Sequence, residues 1–246
     1  MLALVALLTG ACGAPPVGMA TDAVRIGTCK DKTTAEEMTG LSDSSPAVPC
    51  TTPHTLETYA FGTLTGEVSR LGPDRPEPEV LGSGTSCPLE PLRPYPGAGE
   101  LDSQWGVSVF VKHPTRSEWR RGVRTVLCDL VVEAPPATVP RLDVPLRGIM
   151  AHPDSARVRL CADGEALLTC ERPHDAERAG DVDPGVADAD RRAACEDNGR
   201  AYTGTAPGAG GAGWRAQVRG EGRTQCWLVT DGAPRTGTLR AGLVAR

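Results

Sequence analysis

The chain has 246 residues, a formal net charge of −5 and only 4% aromatic residues, against 29 Gly and 22 Pro. The negative balance argues against a nucleic-acid binder, which needs a basic face. With so few large side chains, two small domains in a chain of this length would each have a thin core and would need cross-links.

Residues 2–9 are nearly all apolar and lead through Gly10 and Ala11 to Cys12. A short apolar run ending in small residues and Cys resembles a bacterial lipoprotein signal, although Thr9 stands where Leu is usual and no Lys or Arg precedes the run. The resemblance implies that residues 1–11 are a signal peptide, that Cys12 carries a diacylglycerol and that 12–23 form a tether. Eight apolar residues are too few to cross about 30 Å of hydrocarbon. Setting Cys12 aside, eight cysteines remain, four on each side of residue 150: Cys29, Cys50, Cys87 and Cys128, then Cys161, Cys170, Cys195 and Cys226. An even set in Gly/Pro-rich sequence reads as disulfides formed in an oxidising compartment. The Cys-x-x-Cys spacing of structural zinc is absent.

Along the first half, residues 58–64, 105–112 and 124–132 are β-branched or aromatic-rich and predict strands, the last two antiparallel across a turn at 113–115. Trp119 is expected to cover the open end of that pair. Residues 66–86 read as a mobile surface loop, and 87–94 hold too much Pro for a helix. A proline-bearing run follows at 133–156. In the second half, 175–192 mixes charges of both signs and reads as a solvated face. Ala and Cys at helical spacing predict a helix over 186–200, ended by Gly199 or soon after. Residues 204–213 read as a loop, and Trp227 is expected on the strand face opposite Cys226.

The two halves share Cys-x-x-Pro-His-x-x-Glu, as Cys50, Pro53, His54 and Glu57, then Cys170, Pro173, His174 and Glu177. The flanks agree in order. Each motif has one Cys upstream and another downstream, followed by a Tyr (Tyr95, Tyr202), a Trp, Gly with Arg (Gly122 and Arg124; Gly222 and Arg223), a last Cys and a closing Leu-Arg (Leu146-Arg147; Leu239-Arg240). Trp214 aligns with Trp105 better than with Trp119. The reading is an internal duplication: a first copy over 24–148, a linker at 149–156 and a degenerate second copy over 157–246. The fold class expected is α+β, with two tandem disulfide-stapled domains, each a short antiparallel sheet of three or four strands with about one helix.

Each half resembles the septum formation-related domain of actinobacterial envelope proteins. The first copy carries Gly27, Cys29, Val48, Pro49, Cys50, Pro53, His54, Glu57, Cys87, Trp119, Gly122, Arg124 and Cys128 of that pattern. The second departs from it with Leu168-Thr169 for Val-Pro and Arg159-Leu-Cys161 for Gly-x-Cys. The resemblance implies a role near the division septum and no known reaction. Four cysteines per copy allow three connectivities. The one favoured is first-to-second and third-to-fourth: Cys29–Cys50, Cys87–Cys128, Cys161–Cys170 and Cys195–Cys226.

A His three residues before a Glu suggests a base with its orienting partner, but no nucleophile recurs in both halves. One His and one Glu per copy also fall short of a zinc ligand set, with His113 and His152 the only other imidazoles. The motif therefore reads as structural: Pro53 fixes the backbone, and His54 bonds a carbonyl or carboxylate beside the Cys50 bridge. The expectation is a non-enzymatic module held by its lipid anchor on the outer face of the cytoplasmic membrane. It has no catalytic, cofactor or metal residues and no nucleic-acid partner, and its partners are sought among envelope or division proteins. The alternatives are an envelope enzyme or metal-binding protein using His54/Glu57 and His174/Glu177, and a cell-wall or small-ligand binding module.

Overall fold

The computed structural model describes residues 25–103, 107–132, 139–209, 213–220, 222 and 224–243. The expected signal peptide and tether, with Cys12, and also Trp105 and Arg223 lie outside these residues. The described chain forms two antiparallel sheets with short helices and four disulfides, an α+β architecture.

The first sheet is built from β1 (Cys29–Lys30), β2 (Leu56–Leu64), β3 (Thr85–Ser86), β4 (Val107–Lys112) and β5 (Thr125–Val132), in the order β1-β2-β5-β4 with β3 on β2. The β5 sequence TVLCDLVV is β-branched and buried on both faces, as befits a strand with neighbours on each side. A bulge at Tyr59 interrupts the β2–β5 register. Tyr59 is buried in the first core with Leu64, Leu81, Trp119, Val126 and Leu130. Gly62 lets β3 close on β2, since a Cβ there would lie 2.2 Å from the Ser86 carbonyl oxygen.

Two five-residue helices have no hydrophobic period in the sequence. The first, α1 (Ala35–Thr39), precedes β2, and a later one, Arg116–Arg120, follows β4; each opens on a capping box, Thr34 with Glu37 and Thr115 with Glu118. The stretch 66–86 is not a plain loop. It holds a 3₁₀ turn (Val68–Arg70), α2 (Pro78–Ser83) and β3, and Leu81 is fully buried. The helix Arg116–Arg120, α3, places Trp119 in the core. Its indole donates to the Gly72 carbonyl (2.9 Å), and the Arg124 guanidinium lies 3.6 Å over its ring. Gly122, at φ 88°, turns the chain between the two. Leu142, Leu146, Ile149, Met150 and Val158 also pack into this core, so the proline-bearing run closes the first half rather than merely leaving it.

The second sheet has the order β7-β6-β8-β10-β9, with β6 (Leu160–Asp163), β7 (Ala166–Thr169), β8 (Ala176–Asp181), β9 (Trp214–Arg219) and β10 (Gln225–Thr230). The β6–β7 hairpin turns through Gly164-Glu165 after Asp163, and Asp163-Gly164 is its local turn signal. Residues 176–181, read as a solvated face, form β8 between β6 and β10, where Ala176, Glu177 and Ala179 are completely buried. Trp227 lies with Leu160, Ala162, Ala176 and Val229, in a cluster separate from that of Cys226, and is 2% exposed.

The helix over this sheet, α4, runs Arg191–Thr203 and ends at Gly204 in the left-handed conformation. It starts later and ends later than the expected 186–200. Gly199 is inside it, because Trp214 and Leu228 pack against the bare backbone there. A Cβ on Gly199 would lie 2.4 Å from the Trp214 ring and 2.8 Å from Leu228. Gly199→Ala is therefore expected to lower the unfolding free energy by about 1–3 kcal/mol, although Ala favours helix by up to about 1 kcal/mol. Urea titration measures it, and a stabilised variant would contradict the packing argument.

The disulfides are Cys29–Cys50, Cys87–Cys128, Cys161–Cys170 and Cys195–Cys226, the last tying α4 to β10. No described helix is long and apolar enough to cross a membrane.

Candidate functional site

The repeated motif builds the same arrangement twice. Each His starts the bend into a central strand, and its backbone pairs in both directions with a distant residue: His54 with Leu142 (2.7 and 2.8 Å) and His174 with Arg235 (2.9 Å each). Each ring then bonds back to the carbonyl two residues earlier, Nδ1 of His54 to Thr52 (2.8 Å) and Nδ1 of His174 to Arg172 (2.7 Å). A carbonyl only accepts, so Nδ1 carries a proton in both rings, and in the neutral imidazole the lone pair is on Nε2. Both Nε2 atoms are buried, and among the described residues neither has a hydrogen-bond partner. Among the described residues no hydrogen bond joins either His to its motif Glu.

The glutamates turn to other partners. Glu57 accepts from the Tyr95 hydroxyl and from the backbone N–H of Leu146 (2.6 Å). Glu177 accepts from the Tyr202 hydroxyl (2.6 Å), the Thr238 hydroxyl and the Leu239 N–H (2.5 Å). Leu142 and Leu146 stand four residues apart, as do Arg235 and Leu239. In each half, then, the His backbone holds the start of a closing segment and the Glu carboxylate holds its end. Both glutamates are at most 1% exposed. Burial first, and the facing carboxylate second, push both Tyr95 and Tyr202 far above the usual phenol range. The phenols therefore remain donors to the carboxylates.

The second half adds a cation to this arrangement. In the first, Gly27 stands two before Cys29, and a Cβ on it would be 3.9 Å from the Tyr95 hydroxyl. The matching position before Cys161 is Arg159, which is completely buried. Its guanidinium donates to the Tyr202 hydroxyl (2.8 Å), Ser155 Oγ (2.9 Å), the Met150 carbonyl (2.6 Å) and Asp102 Oδ1 (2.5 Å). Asp102 belongs to the first half, on the stretch between β3 and β4, and its backbone also bridges to Ala179 of β8. Arg240 Nε approaches the same carboxylate at 3.3 Å. The departure from Gly-x-Cys thus supplies a buried ion pair joining the two halves.

A second polar cluster lies beside β1. Lys30 and Lys32, both buried, pair with Asp43 at 2.8 and 3.0 Å. Lys112, also buried, donates to the carbonyls of Met38 and Gly40. Burial brings Lys112 down to about 8. Burial also pushes the Asp43 carboxyl up, but Lys30, the Ser45 N–H and Lys32 outweigh it and hold the group at about 2, against 3.8 when unfolded. A depressed carboxylate contributes stability above its unfolded pKa, and that contribution disappears as pH falls through the folded value. We expect about 2 kcal/mol of stability to be lost between about pH 4 and pH 2. The Asp43→Asn variant should be less stable at pH 7 and show a shallower loss over that interval; an unchanged acid limb would refute the assignment.

His113 and His152 join neither motif. His113 Nε2 faces Thr85 Oγ1 (2.8 Å), and His152 Nδ1 lies 3.0 Å from Asp154. The Tyr and the closing Leu were visible in the sequence as flanking marks of the repeat. Arg159 shows in the sequence only as a departure from Gly-x-Cys, and Asp102 carries no mark at all.

No curated protein and no solved structure matches the chain. The family model described as "Septum formation" matches residues 27–207. That span begins at Gly27 and takes in the whole first sheet, β6 to β8 and α4. It covers well over half of the chain, and the chain belongs to the septum formation family.

Proposed function

We propose that this protein is a non-enzymatic structural or interaction module of the cell envelope, held by a lipid on Cys12 at the outer face of the cytoplasmic membrane. Family membership suggests a role related to septum formation. Four disulfides fit an extracytoplasmic place. The observation that carries the non-enzymatic reading is the inward use of both motif glutamates. Glu57 and Glu177 are buried and committed to Tyr hydroxyls and to the N–H groups of Leu146 and Leu239. A carboxylate so occupied anchors a closing segment and does not orient a catalytic imidazole. The same wiring in both halves supports an origin by duplication, with the motif as the signature of one stapled turn.

A fluorescent fusion is expected to collect at division septa, and Cys12→Ser to move the protein from the membrane fraction to the soluble one. Uniform envelope fluorescence would remove the septal part of the reading. His54→Gln should lower stability. A His54→Gln chain with wild-type stability and all four bridges, missing only a measurable turnover, would favour the envelope-enzyme alternative.

A further inference from the structure

We infer that the second half contains a zinc site that is masked while Cys161 and Cys170 are bonded to each other and becomes available when that bond is reduced. Both sulfurs, an imidazole nitrogen of His174 and a carboxylate oxygen of Glu177 all lie within 4.8 Å of one another, and all four residues are buried. Two thiolates, one imidazole and one carboxylate make a four-donor set of the kind tetrahedral zinc takes. Zn–S arms of about 2.3 Å put the sulfurs about 3.8 Å apart, within that enclosure.

The surroundings prepare the two non-sulfur donors. His174 gives its Nδ1 proton to the Arg172 carbonyl, leaving on Nε2 a buried lone pair that no hydrogen bond uses. Metal-bound histidines are oriented by this kind of donation from their other nitrogen. Glu177 accepts three hydrogen bonds, from Tyr202, Thr238 and Leu239. A carboxylate has about four lone-pair sites, so one remains for a metal, and the three bonds fix the group as an outer shell would. The first half supplies a contrast within the same molecule, because Cys29, Cys50 and Glu57 cluster there without His54.

The chemistry balances with a phosphine as reductant. The phosphine takes the oxygen of one water and becomes its oxide, while the S–S bond accepts two electrons and two protons and becomes two thiols. Zn²⁺ then displaces both thiol protons to solvent and binds the thiolates with neutral His174 and ionised Glu177. The turn held by the sulfur–sulfur bond is held instead by the metal.

The test uses the full chain, reduced by phosphine in denaturant and refolded by dilution without oxygen, with Co²⁺ as a spectroscopic probe and Zn²⁺ as competitor. One equivalent of Co²⁺ is expected to give thiolate-to-metal charge-transfer absorption and intense visible bands, both lost on adding Zn²⁺. Zinc should slow alkylation of Cys161 and Cys170 relative to the zinc-free chain while leaving the rates at Cys87, Cys128, Cys195 and Cys226 unchanged. His174→Ala should weaken zinc binding by more than about 100-fold, and His113→Ala should leave it unchanged. The inference is overturned if zinc shields no cysteine or all of them alike, or if His174→Ala binds as tightly as the unaltered chain.

Discussion

Asp102→Ala should be among the most damaging single changes in this protein, with a loss of about 3–5 kcal/mol of unfolding free energy. The Arg159 guanidinium is fully buried, and Asp102 is its nearest counter-charge, at 2.5 Å. Without Asp102 the cation stays in the interior with neutral partners, the Tyr202 hydroxyl, Ser155 Oγ and the Met150 carbonyl. Breaking a buried pair from one side costs far more than replacing both members. The double variant Asp102→Ala, Arg159→Met should therefore recover much of the loss. Equilibrium denaturation of the three chains measures this, and a double variant less stable than Asp102→Ala would show that the cost is not that of an orphaned charge.

The second large effect comes from the disulfides, and here loop length sets the order. Cross-linking removes entropy from the unfolded chain in proportion to the logarithm of the closed loop. Cys87–Cys128 closes 41 residues of separation and Cys161–Cys170 only 9. The chain-entropy relation gives about 4 kcal/mol for the first and about 2.7 kcal/mol for the second. Replacing each pair with Ser should rank the losses as Cys87–Cys128, Cys195–Cys226, Cys29–Cys50 and Cys161–Cys170, following separations of 41, 31, 21 and 9. The Cys87–Cys128 variant is also expected to lose protection in β2 and β5, since Cys128 lies in the core with Tyr59 and Leu130. Equal losses for the longest and shortest loops would mean that packing around the bridges outweighs chain entropy.

The elements most legible in the sequence were those with a local pattern. Strands β2, β4 and β5 announced themselves through β-branched runs, and the repeated motif pointed to two related halves. What a linear reading could not supply was contact. Tyr95 and Leu146 were noted as marks of the repeat, yet they meet Glu57 from 38 and 89 residues away. Nothing in their spacing says that a carboxylate joins them. The helix α4 was placed too early because Gly199 has the look of a stop. It is a contact glycine, and only the position of Trp214, fifteen residues on, explains it. The five-residue helices α1 and α3 are too short to show a hydrophobic period, and the Thr-x-x-Glu boxes were their only local signal. Arg159 looked like a lapse from Gly-x-Cys. It is instead a substitution that fills the space beside a Tyr hydroxyl and carries a fully buried cation paired across the halves.

The three lysines have a practical consequence. Lys30, Lys32 and Lys112 are 2–3% exposed, and they are the only lysines in a chain with 26 basic side chains. The folded surface therefore offers guanidinium groups but no accessible ε-amine. Lysine-directed labels and cross-linkers should pass over these three side chains in the native protein and mark them only as it opens. The rate at which those three positions become acylated is thus a built-in clock for unfolding around Asp43. Tethering the intact protein to a surface or to a neighbour calls for carboxylate or guanidine chemistry instead.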